Sequence, residues 1–212
     1  MRLPKKQNVS TNNPENPLQR YYQPFIRYFY IERLKMALNF LKPQDKQYDK
    51  ILEVGYGSGV FFPELTKICK KLYGLEVFPE AKKETEQMME KENIQAELTT
   101  GSVTQMPFAD DFFDAIVCVS ALEHLQPNEM EKAISEIKRV TKNNGLIILG
   151  FPSGRKLMQL YCILIKRDLH FDFHRSDHNL ILKTITKNFP IQETKKLFSF
   201  LPIYYVVKCQ KK

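Results

Sequence analysis

The sequence predicts an α/β fold with a doubly wound, mostly parallel sheet and helices on both faces. Short apolar runs typical of buried strands alternate with segments of helical periodicity along most of the chain, which implies right-handed crossovers between parallel strands. The run at residues 51–61, ILEVGYGSGVF, ends in an acidic residue followed by three glycines spaced two apart. Two further runs close the chain, and only Leu201 and Pro202 separate them, so this pair must be antiparallel. We therefore expect seven strands, the last of them antiparallel.

Length and composition indicate one globular domain with reduced cysteines. The 212 residues are enough for a single core, and 43% hydrophobic and 26% charged residues are ordinary values for a globular protein. The four cysteines lie far apart, with no C-x-x-C pair to suggest a zinc or redox site. No stretch reaches the roughly 20 apolar residues of a membrane span, and residues 1–17 lack an apolar signal core. We expect a cytoplasmic protein.

The formal net charge of +8 admits anionic partners such as nucleic acid or a lipid surface. The lysines are nevertheless spread through the predicted helices and both termini, a pattern that is also typical of a solvated face. Charge alone therefore leaves both interpretations open, and the sequence does not define an oligomeric state.

The amino-terminal part of the chain divides into an arm and a tyrosine-rich helix. Residues 1–17 are polar and contain three prolines, which favours a flexible arm. Residues 18–212 then form the single domain, and residues 18–42 show helical spacing of apolar side chains, with Pro24 in the first turn. This helix is either a lid over a pocket or an amphipathic helix docked on the core. Its tyrosines include two candidates for substrate contact, Tyr21 and Tyr22.

The remaining elements follow in a regular order up to residue 151. After the strand at residues 51–54 we predict helices at residues 62–71, 79–91 and 128–142, and strands at residues 71–77, 94–100, 114–120 and 145–151. The alternation stops at Pro152, where an insert of about residues 152–178 begins, and its apolar run at residues 156–167 predicts a helix. A helix with Asp177 as its N-cap follows. The last strands are predicted at residues 191–200 and 203–210.

The spacing of the glycines separates three classes of ligand. A phosphate-binding loop needs G-x-x-x-x-G-K-[ST], and the chain contains no Gly-Lys pair. The dinucleotide fingerprint G-x-G-x-x-G needs glycine at position 60 or 62, which are Val60 and Phe62. The pattern that does occur is E-x-G-x-G-x-G, with a second acidic residue, Glu76, at the end of the next strand. An acidic side chain at that place can accept hydrogen bonds from both hydroxyls of a ribose.

With this pattern the sequence resembles the class I methyltransferases that use S-adenosylmethionine, in the branch of single-domain small-molecule enzymes. The resemblance covers roughly residues 20 to 210. It implies a Rossmann-like sheet, S-adenosylmethionine as methyl donor and S-adenosylhomocysteine as product. It also implies that the glycine turn surrounds the methionine part and ribose of the cofactor, while Glu76 binds the ribose hydroxyls. The residues that would bind the cofactor here are Glu53, Gly55, Tyr56, Gly57, Gly59, Glu76 and Val77.

Residues 101–125 are similar to a second stretch of the same family, in which an acidic residue and a Leu-Pro-Phe-like turn precede the fourth strand. Met106, Pro107 and Phe108 form that turn here. Ser102 stands where the family commonly has Asp to accept the adenine amino group, and an uncharged hydroxyl accepts that bond more weakly. Adenine binding then depends on the backbone at Val103. The resemblance also implies contacts from Ser120, Ser102 and Val103 to the cofactor.

Methyl transfer from a sulfonium is an in-line displacement, so an enzyme mainly has to align the reactants and exclude water. A base helps where the acceptor carries a proton that must be removed. His124 follows the end of the fourth strand, and its unperturbed pKa suits proton transfer near neutrality. The alternative is that His124 only holds a loop.

His174 and His178 are further candidates, because in the enzymes that this chain resembles the segment after the fifth strand forms the acceptor side of the pocket. We predict that they contact substrate. Two histidines four apart could instead share a metal ion with Asp172 and Asp177. Since Asp177 suits the N-cap of the next helix better, we expect no metal.

The predicted function is S-adenosylmethionine-dependent methylation of a small-molecule acceptor at O, N or C, with lipid-like and sugar-like compounds as the candidate acceptors. A nucleic-acid methyltransferase is the alternative that the charge favours, although CVSA at residues 118–121 stands where amino-methylating enzymes of that kind have an N-P-P-Y-like motif. A non-catalytic protein that binds the cofactor is a further alternative. The run LMQLYCILI, flanked by basic residues, is either buried core, a wall for an apolar acceptor, or a peripheral membrane contact.

Overall fold

The computed structural model describes residues 1–13, 16–42, 47–153, 174–198, 200 and 202–212. The apolar run predicted as a helix at residues 156–167 lies outside these ranges, as does most of the predicted insert. Among the helices that are described, none combines the length and the apolarity needed to cross a bilayer.

One seven-stranded sheet organises the chain, with the strand order β3-β2-β1-β4-β5-β7-β6. Strand β7 is antiparallel to both of its neighbours, whereas β1 to β5 run parallel, so the predicted sheet is confirmed. The order reverses at β1, which pairs with β2 on one side and β4 on the other. The strands are β1 (Tyr48–Val54), β2 (Cys69–Glu76), β3 (Glu97–Thr100), β4 (Phe113–Val119), β5 (Thr141–Pro152), β6 (Ile191–Leu197) and β7 (Tyr204–Gln210).

Helices cover both faces of this sheet, and successive strand residues feed two separate cores because strand side chains alternate between the faces. Ile51 packs in the core that contains the first three helices, while the neighbouring Leu52 packs with the last two. Asp177 caps the final helix as predicted, accepting a hydrogen bond from Leu180 N at 2.9 Å. The helices are α1 (Ile26–Leu41), α2 (Phe62–Leu65), α3 (Pro79–Glu92), α4 (Met130–Val140) and α5 (His178–Asn188).

The tyrosine-rich segment differs from the single helix predicted for residues 18–42. A short 3-10 helix, Leu18–Tyr21, is separated from α1 by a bend at Pro24 and Phe25. The residue before a proline is disfavoured in the helical conformation, which explains the interruption. Phe25 has φ 65 and is 94% exposed, so it does not belong to the buried face that its spacing suggested. That face starts at Ile26 instead.

Helix α2 is also shorter than the predicted residues 62–71. It ends at Leu65 because the chain from Cys69 onward already pairs with β1, in register with Tyr48. The hydrogen bonds of a buried sheet outweigh the weak helical preference of these residues.

The amino-terminal arm, which was expected to be flexible, lies against α3. Lys5 N and the Asn8 side chain donate to one Glu92 carboxylate oxygen, at 2.8 and 2.6 Å, and Arg2 donates to the other at 2.7 Å. Further along, the arm reaches the glycine turn through Asn16. The polar composition of the arm predicted that it is loosely attached to the domain, but the buried Glu92 carboxylate binds the arm through these hydrogen bonds.

Candidate functional site

A cavity of about 570 Å³ opens at the carboxyl ends of β1, β2 and β4, next to the point where the strand order reverses. Open α/β sheets commonly bind ligands at such a point. The walls come from the arm, the 3-10 helix Leu18–Tyr21, α1, the glycine turn, the turn after β3 and the segment after β4. Its volume lies within the range of small-molecule sites.

The glycine turn has the backbone that its sequence predicts. Gly55 and Gly57 have φ of 73 and 53, a region that other residues rarely adopt. A Cβ on Gly55 would lie 2.6 Å from the Ala121 Cβ, and one on Gly57 would lie 2.8 Å from Asn16 Nδ2. These two glycines therefore keep the floor of the cavity open to a ligand. Gly59 has another place: it packs against Met88 and does not line the cavity.

Glu76 joins the glycine turn to the end of β2. One carboxylate oxygen accepts from Gly57 N at 2.9 Å, and the other accepts from Val77 N at 2.8 Å and from Phe78 N at 3.3 Å. The oxygen that accepts only from Gly57 N has a second lone pair, so Glu76 can still accept a hydrogen bond from a ligand hydroxyl. Val77 and Tyr56 also line the cavity, and burial raises the pKa of the Tyr56 hydroxyl.

Glu53 is 6% exposed, and its Oε2 atom has no hydrogen-bond partner in the described structure. Burial raises the pKa of Glu53 well above its usual value, and the nearby Glu76 raises it further. The carboxyl therefore favours its protonated form. Glu53 does not itself line the cavity.

The turn after β3 brings Ser102 and Val103 to the cavity wall. The Ser102 hydroxyl accepts from Thr104 N at 3.2 Å and shares a hydrogen bond with the Thr104 hydroxyl at 2.9 Å. This side chain thus stabilises its own turn, and the backbone at Val103 is the second polar group that the turn offers to a ligand.

Beyond β4, four residues from distant parts of the chain form a hydrogen-bonded network. Arg33 on α1 donates to the Ser120 hydroxyl at 2.8 Å and to the Tyr21 hydroxyl at 2.7 Å. Ser120 and Tyr204 share a further hydrogen bond at 2.7 Å. The sequence analysis missed Arg33 and Tyr204. A signal for Arg33 existed, because it occupies a buried position one turn after Phe29 on an otherwise apolar face.

A second polar group lies on the same side of the cavity. Glu123, His124 and His174 each offer one ligand atom, and these atoms all lie within 4.8 Å of one another. The two imidazole rings meet edge to face with 5.4 Å between centroids. Arg175 N and Ser176 N donate to the Glu123 carbonyl at 2.8 and 3.1 Å, which holds the chain around His174 against the segment after β4.

Burial raises the pKa of the Glu123 carboxyl, whereas the neighbouring His124 and Arg33 oppose this shift. This carboxyl is 2% exposed, and its Oε2 atom has no hydrogen-bond partner in the described structure. The set Glu123, His124 and His174 differs from the pair of histidines considered for a metal on sequence grounds, because His178 lies elsewhere.

Two predicted substrate contacts do not reach the cavity. The Tyr22 hydroxyl donates to the Pro4 carbonyl at 2.9 Å, so this side chain holds the arm. His178 begins α5 and stacks on Tyr205 with 5.7 Å between ring centroids. The positions of both follow from packing between distant segments. Tyr21, His124 and His174, by contrast, do line the cavity.

Comparison with known proteins indicates which protein family contains chains similar to this one. Residues 52–149 match the family model described as a methyltransferase domain. These residues therefore form a methyltransferase domain of the class I, S-adenosylmethionine-dependent type. Two curated relatives are the uncharacterized protein MJ0638 of Methanocaldococcus jannaschii, 25% identical over 82% of this chain and 68% of that protein, and erythromycin 3''-O-methyltransferase of Saccharopolyspora erythraea, 29% identical over 48% of this chain and 34% of that protein.

The fold of this methyltransferase also matches solved structures. N-methyltransferase NodS from Bradyrhizobium japonicum WM9, in complex with S-adenosyl-L-homocysteine, gives a TM-score of 0.70 over 97% of this chain and 95% of that chain. At 18% identity the likeness concerns the fold alone. The family, the Rossmann-like fold and the cofactor predicted from the glycine turn are confirmed.

The residues present fit S-adenosylmethionine. Glu76 keeps an acceptor position for a ribose hydroxyl, and Gly55 and Gly57 leave room for close approach of a ligand to the backbone. Ser102 and Val103 occupy the adjoining wall, on the β3 side of Glu76. The cavity therefore has a wall that fits the cofactor on one side of β1 and a separate polar wall on the other.

Proposed function

We propose that this methyltransferase transfers a methyl group to a small-molecule acceptor that enters beside His124. The carrying observation is the division of the cavity: the wall that fits the cofactor occupies the ends of β1 to β3, and a second polar wall follows β4. An acceptor on the second wall adjoins the cofactor on the first, which is the arrangement that in-line transfer requires. When bound, the cofactor supplies an electrophilic methyl group on its sulfonium.

On the cofactor wall, Glu76 holds the ribose and the backbone around Gly55 and Gly57 accommodates the methionine part. Ser102 and Val103 bound the adenine. Ser120, at the end of β4, lies between the two walls and is fixed by hydrogen bonds from both sides. These contacts orient the reactants, and orientation with exclusion of water is the main task of such an enzyme.

His124 acts as the general base for an acceptor that must lose a proton. Its neighbours support this role, because a carboxylate oxygen of Glu123 and a ring nitrogen of His174 each lie within 4.8 Å of a ring nitrogen of His124. His174 contacts the acceptor from the opposite side of the group.

A small acceptor agrees with the enclosure of the site. The cavity has aromatic and aliphatic walls from Tyr21, Ile26 and Phe29, and polar groups at one end, which suits a sugar-like or lipid-like compound. The curated relative from Saccharopolyspora erythraea is named as an O-methyltransferase of erythromycin, a small molecule. A nucleic-acid acceptor has the net charge of +8 as its support.

The test is a methylation assay with isotopically labelled S-adenosylmethionine and three separate pools of acceptors: polar metabolites, a lipid extract and RNA. We expect label in one of the first two pools and none in RNA. Glu76→Ala serves as the control for background label. Transfer to RNA alone would overturn the small-molecule assignment, and transfer to no pool, with cofactor binding intact, would support a non-catalytic role.

A further inference from the structure

Four exposed aromatic residues lie in two segments of the chain, and we call them the aromatic rim. Phe25, at the bend before α1, and Tyr28, in the first turn of that helix, are 94% and 58% exposed. Phe198 and Phe200, in the turn between β6 and β7, are 48% and 104% exposed. These are four of the six large hydrophobic residues that are exposed among the described residues. Contact of an apolar ring with water is unfavourable, so such groups commonly mark interaction surfaces.

Both segments lie at the end of the sheet where the cavity opens. The turn between β6 and β7 connects Leu197 to Tyr204, which pair with each other, and Tyr204 pairs in turn with Pro152 at the carboxyl end of β5. Ile26, which follows Phe25, lines the cavity together with Tyr204. The aromatic rim therefore stands at the same end of the molecule as the mouth of the cavity.

The rim residues project from the surface at places where the chain changes direction. Phe25 and Phe198 have φ of 65 and 63, a left-handed conformation that is uncommon for a bulky residue. Phe25 belongs to the bend before α1, and Phe198 directly follows β6. Rings on a bend and on a hairpin turn suit insertion into an apolar layer, whereas rings that stack on nucleic-acid bases commonly line a charged groove.

Positive charge accompanies the rim in both segments. Residues 16–31 contain Arg20 and Arg27, residues 194–207 contain Lys195 and Lys196, and neither range contains Asp or Glu. Arg27 and Lys196 are exposed. Anionic headgroups attract cationic side chains close to a bilayer, and apolar rings enter the boundary between headgroups and acyl chains. The two segments are therefore complementary to an anionic membrane surface.

We propose that the aromatic rim docks this protein on an anionic lipid bilayer, with its rings in the headgroup boundary and with Arg27 and Lys196 against the headgroups. The mouth of the cavity then faces the bilayer. The rim lies outside the residues assigned to the cofactor and the acceptor, so the proposal stands apart from the methyl-transfer assignment. RNA is the competing anionic partner, and a second copy of the chain is the competing partner for the exposed rings.

Sedimentation of the full chain with phosphatidylcholine vesicles, with and without phosphatidylglycerol, tests the proposal. We expect binding to the vesicles that contain phosphatidylglycerol, and weaker binding at high salt, because salt screens the attraction between exposed charges. The double variant Phe25→Asn, Phe200→Asn should bind these vesicles at least about 10-fold more weakly, because it removes two apolar rings from the boundary. Asparagine tolerates the left-handed backbone of Phe25. Wild-type protein that does not bind, or a double variant that binds as wild type does, would overturn the proposal.

Matched variants separate charge, fold and the competing partners. Arg27→Gln and Lys196→Gln should each weaken vesicle binding by about 5-fold, the contribution of one cation near an anionic surface. Lys183→Gln removes an exposed lysine from α5, whose buried side chains pack in the other core, and should leave vesicle binding unchanged. The double variant should keep the wild-type affinity for S-adenosylhomocysteine in calorimetry, and loss of that affinity would mean a structural role for the rim. RNA binding or self-association that the double variant abolishes, with no binding of wild type to vesicles, would assign the rim to that partner and overturn the proposal.

Discussion

The two walls of the cavity are built in different ways. On the wall that fits the cofactor, Glu76 at the end of β2 accepts a hydrogen bond from Gly57 N in the turn after β1, and the glycines form one continuous turn. On the second wall, which follows β4, Tyr21, Arg33, Ser120 and Tyr204 come from four separate segments. A wall formed by one sequence motif has one geometry. A wall formed by side chains from distant segments changes its geometry when any one of those residues is substituted. The difference explains how one cofactor can serve enzymes with many acceptors.

The largest effect should come from the second wall. His124→Ala should lower kcat by about 10²- to 10⁴-fold, because it removes the base, and should leave S-adenosylhomocysteine affinity unchanged. The measurement is the rate with the acceptor found in the pool assay, over a range of pH. His178→Ala is the matched control, since that ring stacks on Tyr205 away from the cavity. Turnover by His124→Ala at the wild-type rate at every pH would refute the base role.

A substitution on the wall that fits the cofactor should instead lower the affinity for the cofactor. Glu76→Ala should weaken both S-adenosylhomocysteine and 5′-methylthioadenosine by about 100-fold, because both ligands contain the ribose and the side chain also holds Gly57 N. Glu97→Gln, at an exposed position on β3, is the control for a change of charge. Retention of methylthioadenosine affinity in Glu76→Ala would show that the ribose lies elsewhere.

The part of the site that the sequence predicted is the part with local geometry. Gly55, Gly57 and Glu76 lie at the ends of two adjacent strands that are linked by one short crossover. Their positions in the sequence therefore predict that they lie close together in the fold. The contact from Arg33 to Ser120 spans 87 residues, and nothing in the spacing of such residues indicates which strand end a helix will cover.

The same reasoning applies to the fold. The seven strands and the Asp177 cap follow from periodicity and from a local hydrogen bond, and both were predicted. The bend at Phe25 and the early end of α2 depend on competition between local preference and sheet pairing, which a sequence pattern does not weigh. The attachment of the arm depends on Glu92, more than 80 residues away.

Two buried carboxyls, those of Glu53 and Glu123, should make the stability of the protein depend on pH. Burial raises the pKa of Glu53 and of Glu123, but Glu76 adds to the shift of Glu53 whereas His124 and Arg33 oppose that of Glu123. A folded-state pKa above the unfolded value means that the folded protein holds a proton which the unfolded chain has released. The free energy of unfolding therefore falls as pH rises from the usual carboxyl range to the raised pKa.

In the ligand-free protein, Glu53→Gln should remove the part of the pH dependence of the free energy of unfolding that comes from the Glu53 carboxyl. The variant should gain stability relative to wild type as pH rises, by about 1.4 kcal/mol for each unit of raised pKa, and Glu123→Gln should gain less. Urea unfolding at pH 5 and pH 8 measures both. Parallel profiles for wild type and Glu53→Gln would show that the Glu53 carboxyl does not hold its proton in the folded state.

The smallest expected effect concerns the adenine end of the cofactor wall. Ser102 stands where the family commonly has an acidic residue, and its hydroxyl is engaged with Thr104. Ser102→Asp can keep the bond from Thr104 N while offering the adenine amino group a charged acceptor, which binds more strongly than a hydroxyl. We expect S-adenosylhomocysteine and methylthioadenosine to bind about 3- to 10-fold more tightly, since part of the gain offsets desolvation of the new charge. Calorimetry on both ligands checks this, with Ser102→Ala as the variant that should bind slightly more weakly. If Ser102→Asp and Ser102→Ala both bind as wild type does, adenine is held by the backbone at Val103, and the cofactor wall depends on local backbone geometry even at its far end.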